Sequence, residues 1–429
     1  MKALTKISIG FLALAAAALW FTSCSSEDVT SGTNQGKMSS LTLTINTGKS
    51  MGSRATDWTA DPAGNENDIN RITVGIFSSD GTILRTIVEL ASGDGTNNTF
   101  KSETNGASTK IVTNSLADGD LIKVAVNAPA GHFVGIKTAD DFMNKSEEAK
   151  DALTNSTDLT KEACNNNVPM YGQGTLTPTT PGDNSAFKVS GDKVTVKHML
   201  AKVSLVSLGV DFKAGSAYAN AEFTPVAAFL INVPDKMNFT TDVWNSSAAL
   251  LHGWSAYDTS DATNCTFDYA TGNSGGTGTY KQYLTTENLT ATALFGTASS
   301  GTATSTAKAW FYTLPNDKKD DGATVTKNTK LVIAGKFKEN KNATSPTTEM
   351  VYYSLPINAV YNASTHKYVM PEHGEGSVFQ VSPNQNYKCS VIIRTKGSSN
   401  PNTNLTPQEA EINVEVANFV EVNQDAEFN

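Results

Sequence analysis

Apolar and polar residues alternate along much of this chain with a period of two, which is the pattern of β-strands that bury one face. Residues 41–47 keep this alternation for seven positions and predict a strand near the start of the chain, which we call the leading strand. Residues 71–77 and 83–88 flank Asp80-Gly81, a dipeptide that favours a tight hairpin because glycine accepts a positive φ.

Short runs rich in Val, Ile, Thr and aromatic residues predict further strands between turn-forming clusters. These runs lie at residues 121–127, 194–196, 201–210, 223–233, 309–312, 331–334, 351–353 and 387–394. One helix is predicted over 138–153, where Thr138 is a suitable cap. Residues 255–307 are mostly Ser, Thr, Gly and Asn and predict a loop or an insertion. Because long helices do not alternate with the strands, we expect an all-β chain of two antiparallel β-sandwiches that meet near residues 213–221.

The N-terminus has the pattern of an export signal. Two lysines precede an apolar run over residues 7–21, which is too short to cross a membrane as a helix. Small residues then lead into Cys24, as in a bacterial lipoprotein whose cysteine carries lipid and becomes the first mature residue. An ordinary signal-peptidase site beside a cysteine is the alternative. Residues 25–40 are polar and predict a tether without a fold.

Composition excludes several function classes. A net charge of −9 without a basic cluster argues against nucleic acid and against a folded surface that binds anionic lipid. After Cys24 only Cys164, Cys265 and Cys389 remain, at a spacing that suggests neither a disulfide framework nor a zinc site. The five histidines are scattered, and a G-x-S-x-G match at 272–276 sits inside the Ser- and Gly-rich region. We therefore expect no enzyme activity, catalytic residue, metal or cofactor.

The last twenty residues predict a long strand at a free end. Ile412, Val414 and Val416 alternate with polar residues, and Val420 and Val422 continue in the same phase. This strand is either the last strand of its own sandwich or a donor strand that pairs with another molecule. A polar, proline-containing linker at 397–407 would let it move.

The leading strand has a matching apolar face, formed by Leu41, Leu43 and Ile45. Soon after it comes Arg54-Ala55, within a Gly- and Ser-rich stretch that predicts protease access. Cleavage there would release the leading strand and leave a groove with an unpaired edge, which another chain could fill. The alternative is that Arg54 is an ordinary solvated arginine. Arg54 is nevertheless unlike the other three arginines, which lie in or beside predicted strands: Arg71, Arg85 and Arg394.

Several short motifs, in this order and spacing, resemble the fimbrillins, the type V pilins of Gram-negative oral and gut anaerobes. These motifs are residues 23–28, 54–55, 123–129, 168–172, 198–203, 386–391 and 412–428. One departure is His198, because an arginine usually opens the family's Arg-x-x-Ala-Lys motif.

The resemblance implies two transthyretin-like β-sandwich domains and export to the outer membrane as a lipoprotein. It also implies cleavage after Arg54 by an arginine-specific surface protease and donation of the C-terminal strand to the next subunit of a cell-surface fimbria. The expected partners are copies of this chain or related fimbrial subunits, the protease, outer-membrane lipid, and a host or bacterial surface receptor. The expected organisation is a signal peptide at 1–23, a lipidated propeptide at 24–54, and domains at 55–213 and 222–429, with the donor strand at about 410–429.

The alternative from another class is a monomeric carbohydrate-binding surface lipoprotein, or a similar adhesin. Such a protein would also be all-β, and exposed tryptophans would stack on sugar rings. The candidates in this chain are Trp58, Trp244, Trp254 and Trp310.

Overall fold

A computed structural model describes most of the predicted strands. The described residues are 38–47, 66–96, 98–103, 105–148, 167–240, 250–253, 267–268, 273–274, 285–286, 294–297, 309–316, 328–358, 360–362, 367–369, 381–401, 403 and 410–418. Among them, no helix is both long enough and apolar enough to cross a membrane.

The first half of the described chain is dominated by one sheet. Its strands, with the short β7 that lies outside it, are β1 (Met38–Asn46), β2 (Arg71–Phe77), β3 (Leu84–Ser92), β4 (Thr99–Glu103), β5 (Gly106–Asn114), β6 (Leu121–Val126), β7 (Ser146–Glu148), β8 (Met170–Pro178), β9 (Ala186–Val189), β10 (Val194–Thr195) and β11 (Lys197–His198). The strand order is β10-β1-β5-β4-β3-β2-β6-β8-β11, and β9 pairs with both β1 and β8. The sheet therefore closes on itself through β9.

The second half contributes two larger sheets and some two-residue to four-residue strands. The strands are β12 (Ala201–Val210), β13 (Glu222–Pro234), β14 (Lys236–Asn238), β15 (Leu250–His252), β16 (Phe267–Asp268), β17 (Asn273–Ser274), β18 (Thr285–Thr286), β19 (Leu294–Thr297), β20 (Ala309–Thr313), β21 (Lys330–Lys338), β22 (Thr348–Pro356), β23 (Val360–Asn362), β24 (Lys367–Val369), β25 (Gln385–Ile393) and β26 (Ala410–Asn418). One sheet has the order β19-β12-β25-β26, and β20 also pairs with β12. The other has the order β15-β13-β21-β22, and β18 also pairs with β13.

Two large hydrophobic cores follow from this arrangement, beside a small cluster on β13, β21 and β22. The first, which we call the N-terminal core, lies within the closed sheet and includes side chains of β1, β2, β5, β6 and β9. The second joins the two later sheets through residues of β12, β13, β21, β22 and β25, and it also receives aromatic residues from the first half, such as Phe133 and Phe142. Apolar alternation along these strands explains both cores, because each strand directs every second side chain inward.

The local predictions were confirmed in most places. β2 and β3 pair as a hairpin, and Gly81 has the positive φ of 75° that the turn requires. The predicted helix was too long: α1 covers Ala139–Asn144 and ends there, because β7 then pairs with β14. Its start was predicted correctly, since the Thr138 side chain accepts a hydrogen bond from the Asp141 amide in a capping box.

The all-β class is confirmed, whereas the pair of transthyretin-like domains stays a prediction. The predicted boundary at 213–221 lies after β12, so that prediction places β12 in the first domain. β12 pairs with β20 and β25 of the second half, so the change from one sheet to the next lies between His198 and Ala201.

Candidate functional site

The leading strand forms β1, and it lies between neighbours on both sides. On one side it pairs antiparallel with β5 over nine residue pairs, from Met38 opposite Asn114 to Asn46 opposite Gly106. On the other side it runs parallel to β9 and then to β10, with Thr42 opposite Lys188 and Ile45 opposite Val194. β1 is therefore an interior strand of the closed sheet, with a neighbour on each side, although it is the first of the described strands along the chain.

Leu41, Leu43 and Ile45 point into the N-terminal core, and at most 2% of each residue is exposed. Thr42 and Thr44 lie on the opposite face and are exposed, as the alternation predicts. Side chains of β1 thus fill the interior of a sheet whose other strands all come later in the chain. Removing β1 would leave a hole in this core and two unpaired strand edges.

Polar contacts fix the register at both ends of β1. Near its start, the Ser39 hydroxyl donates to the Asn184 carbonyl at 2.9 Å. Near its end, the Val196 amide donates to the Asn46 carbonyl at 2.9 Å. Gly106 permits the close approach of β5 there, because a Cβ at that position would overlap the carbonyl oxygen of Ile45.

The chain is next described at Glu66, which is buried. Its carboxylate lies 2.6 Å from the Lys202 ammonium, and the two side chains are 7% and 3% exposed. The Tyr312 hydroxyl donates to the same oxygen, Oε1, at 2.7 Å. The Lys202 ammonium also lies over the Trp310 ring, 5.4 Å from its centroid. This group, which we call the Glu66 anchor, attaches the segment that precedes β2 to β12 and β20 of the second half.

His198 extends the Glu66 anchor. Its Nε2 lies 2.8 Å from the backbone carbonyl of Glu66, and its Nδ1 lies 3.3 Å from the side-chain oxygen of Asn384. Burial lowers the pKa of His198 to about 4, because the charged ring would lose its hydration; the Lys202 charge acts in the same direction. The ring is therefore neutral at pH 7 and acts as a hydrogen-bonding core residue.

The predicted donor strand is placed in part. Its backbone from Ala410 to Asn418 forms β26, which pairs antiparallel with β25 along nine residues. Ile412, Val414 and Val416 belong to this strand. Among the described strands β26 has β25 as its one neighbour, so it lies at the edge of its sheet. Its role as a donor stays a prediction.

Several predicted site residues lie outside the described residues. These are Cys24 for lipidation, Arg54 and Ala55 for cleavage, Val420 and Val422 of the tail, and three of the four candidate sugar-stacking tryptophans, Trp58, Trp244 and Trp254. The fourth, Trp310, is 8% exposed and packs edge-on against Tyr312. Trp310 is therefore a core residue and is not exposed for stacking on a sugar ring.

Residues 39–206 match the family model of the major fimbrial subunit protein FimA. Over these residues the chain is similar to the fimbrillin family. The match covers β1 to most of β12, and so it includes the leading strand, the closed sheet and the two motif residues His198 and Lys202. The family model describes a structural subunit of fimbriae, not an enzyme. No curated protein sequence matches the chain at a significant level.

Several solved structures share the fold of this chain over about nine tenths of its length. A fimbrilin (FimA) of Porphyromonas gingivalis W83 has a TM-score of 0.57 at 16% identity, covering 90% of this chain and 99% of that one. A candidate cell adhesion protein of Parabacteroides distasonis has a TM-score of 0.58 at 16% identity, covering 90% and 100%. Another, of Bacteroides eggerthii, has a TM-score of 0.57 at 18% identity, covering 89% and 96%. At these identities the likeness shows the fold alone.

Sequence reasoning missed Glu66 and the role of Lys202. The only signal was the motif His198 to Lys202, in which a cationic side chain inside a strongly apolar strand calls for a buried partner. Nothing in the spacing between residues 66 and 202 indicates which carboxylate that partner is.

Proposed function

We propose that this chain is a fimbrillin that serves as a stalk subunit of a cell-surface fimbria and supports adhesion. In this proposal it is exported as a lipoprotein and polymerises by strand exchange after proteolysis. In this proposal Cys24 carries the lipid that holds the precursor at the outer membrane, and an arginine-specific surface protease cuts between Arg54 and Ala55. β1 then leaves, and the tail of another copy, or of a related subunit, takes its place. A host or bacterial surface receptor would be the target of adhesion.

The observation that carries the proposal is the position of β1. It is an interior strand, yet all its sheet neighbours come from later in the chain, and the predicted cleavage site lies between it and β2. A single cut after Arg54 would therefore disconnect β1 from the mature chain. Burial of its three aliphatic side chains contributes about 5–9 kcal/mol of gross transfer free energy, so the emptied groove would have a strong tendency to accept another strand.

Tethering explains why the precursor would stay monomeric. A strand joined to its own groove acts at an effective concentration near the millimolar range, which a strand from another molecule does not reach. Cleavage removes this advantage. The Glu66 anchor is downstream of Arg54, and it would hold the new N-terminal segment against the second half after β1 has gone.

The pairing of β26 also supports donation. In its own sheet this strand pairs along one edge, with β25. In the β1 groove it would pair with β5 on one side and with β9 and β10 on the other, so exchange adds a second ladder of backbone hydrogen bonds. A strand that can be donated favours a stalk subunit over a tip subunit, because each stalk subunit has to supply a strand to its neighbour.

The test treats the purified protein with an arginine-specific protease and separates the products on a gel without boiling. Three chains are compared: wild type, Arg54→Ala, and a chain truncated before Ala410. We expect a polymer ladder from the wild type only. A ladder from either altered chain contradicts the proposal, and so does a cleaved wild type that stays monomeric at high concentration.

A further inference from the structure

The groove around β1 has a charged rim on its outer face. Thr42 is opposite Lys110 of β5 on one side and opposite Lys188 of β9 on the other. Both lysines are directed away from the N-terminal core, because Thr42 itself is exposed and cross-strand partners share a face. Lys188 lies 2.6 Å from Asp192, an exposed pair that contributes little to stability.

The strand that occupies the groove in the precursor makes no use of these charges. Its outward residues near the lysines are Ser40, Thr42 and Thr44, which are all neutral. Its inward side chains begin with the small polar Ser39, continue with the three aliphatic residues at 41, 43 and 45, and end with the small polar Thr47. Any replacement strand must repeat this inward order, because a polar side chain among the aliphatics would be buried without a partner.

A tail laid in the direction of β1 keeps the antiparallel pairing with β5. In that direction one register repeats the inward order without placing a polar side chain in the core or leaving an aliphatic position to alanine. With Ala410 in the place of Ser39, the tail puts Ile412, Val414 and Val416 at the three aliphatic positions and Asn418 at that of Thr47. If the tail moves by two, four or six positions toward the start of the groove, Asn418 takes the place of Ile45, Leu43 or Leu41. If it moves by two positions the other way, Ala410 takes the place of Leu41 and leaves part of the core unfilled.

The same register brings acidic residues to the lysines. Glu411 takes the place of Ser40, Asn413 that of Thr42, and Glu415 that of Thr44. Each glutamate is then diagonal to both Lys110 and Lys188, a separation that long side chains span. The aliphatic residues of the tail are smaller than those of β1 by two methylene groups in total, so apolar burial alone favours the strand that is leaving.

We infer that Lys110 and Lys188 are specificity residues that select a second copy's Ala410–Asn418 segment, in the direction and register of β1, through Glu411 and Glu415. This inference rests on the proposed strand exchange and adds to it which residues recognise the incoming strand. The selection is electrostatic, so it acts on the outer rim while the aliphatic positions fix the register. A strand with neutral or basic residues at these two positions would be captured more slowly.

Cysteine pairs test the register. In the uncut precursor, Thr42→Cys with Lys110→Cys should form an intramolecular disulfide, because these positions are directly opposite in the structure. After cleavage, Lys110→Cys with Asn413→Cys should give ladders that survive boiling without reductant. Lys110→Cys with Glu415→Cys should give at most a weak ladder of this kind, because those positions are diagonal in the inferred register. They would be directly opposite only if the tail entered the groove in the reverse direction. Single-cysteine variants control for the native cysteines.

Charge reversal tests the recognition. The variant Lys110→Glu/Lys188→Glu should polymerise roughly tenfold more slowly after cleavage, and adding Glu411→Lys/Glu415→Lys to the same chain should restore the rate. The control Lys336→Glu, on an exposed position of β21, should leave the rate unchanged.

The outcomes separate the inference from the proposed function. A wild type that never polymerises overturns the proposed function. A wild type that polymerises while the 110–413 pair stays uncrosslinked, or while the 110–415 pair crosslinks more strongly, overturns the register. Normal polymerisation of the charge-reversed variant overturns the role of the lysines.

Discussion

Lys202 offers a direct test of the Glu66 anchor. The change Lys202→Met keeps most of the apolar stem of the side chain and removes the ammonium. Glu66 would then be left 7% exposed, with the Tyr312 hydroxyl as its remaining described side-chain partner. Removing one member of a buried ion pair typically costs about 3–5 kcal/mol, because the other charge stays buried without compensation. We expect a loss of this size in the free energy of unfolding.

The double variant Glu66→Gln/Lys202→Met sharpens the test. Because it removes both charges together, it should lose less stability than the two single variants combined, by about 1–3 kcal/mol. Urea denaturation of the uncut chain, with tryptophan fluorescence as the signal, measures the free energy of unfolding of the double variant and of the single variants Lys202→Met and Glu66→Gln. The matched control is Lys338→Met, which breaks a partly exposed pair with Glu222 at 2.8 Å and should cost at most about 1 kcal/mol. The reasoning is refuted if Lys202→Met costs no more than Lys338→Met, or if the double variant equals the sum of the singles.

Three further predictions concern the groove and His198. Leu43→Ala should lower the free energy of unfolding of the precursor by about 2–5 kcal/mol in urea denaturation, whereas Thr44→Ala, on the exposed face of β1, should change it by less than about 0.5 kcal/mol; equal effects would contradict the burial of β1. Gly106→Ala should lower the melting temperature in calorimetry, because the new methyl group overlaps the Ile45 carbonyl oxygen, and an unchanged melting temperature would show that β5 can move away. The pKa of His198 is about 4 in the folded chain and 6.5 for the free side chain, so protonation favours the unfolded chain as the pH falls from about 6.5 to 4. The free energy of unfolding should decrease by about 3 kcal/mol over that window. His198→Asn should remove this part of the pH dependence, and an unaltered pH profile would show that other groups cause it.

The pattern of alternating residues determined the fold class and most strands by itself. Leu41, Leu43 and Ile45 could be predicted to share one buried face, because side chains of a strand alternate between its two faces whatever the strand packs against. The hairpin at Asp80-Gly81 and the cap at Thr138 were equally accessible, since both depend on backbone conformations of a few adjacent residues. The end of the helix could not be predicted in this way, because α1 stops where β7 begins to pair with β14, a strand far along the chain.

What only the tertiary structure decided is which distant segments meet. The sequence indicates that residues 38–46 form a strand, but it does not show that β5, β9 and β10 enclose that strand, because pairing partners depend on the closure of the whole sheet. The same is true of Glu66 and Lys202, whose attraction becomes strong only after folding removes water from both. The apolar face of β1 is thus predictable from the pattern, whereas the strands that enclose it are known only from the folded sheet.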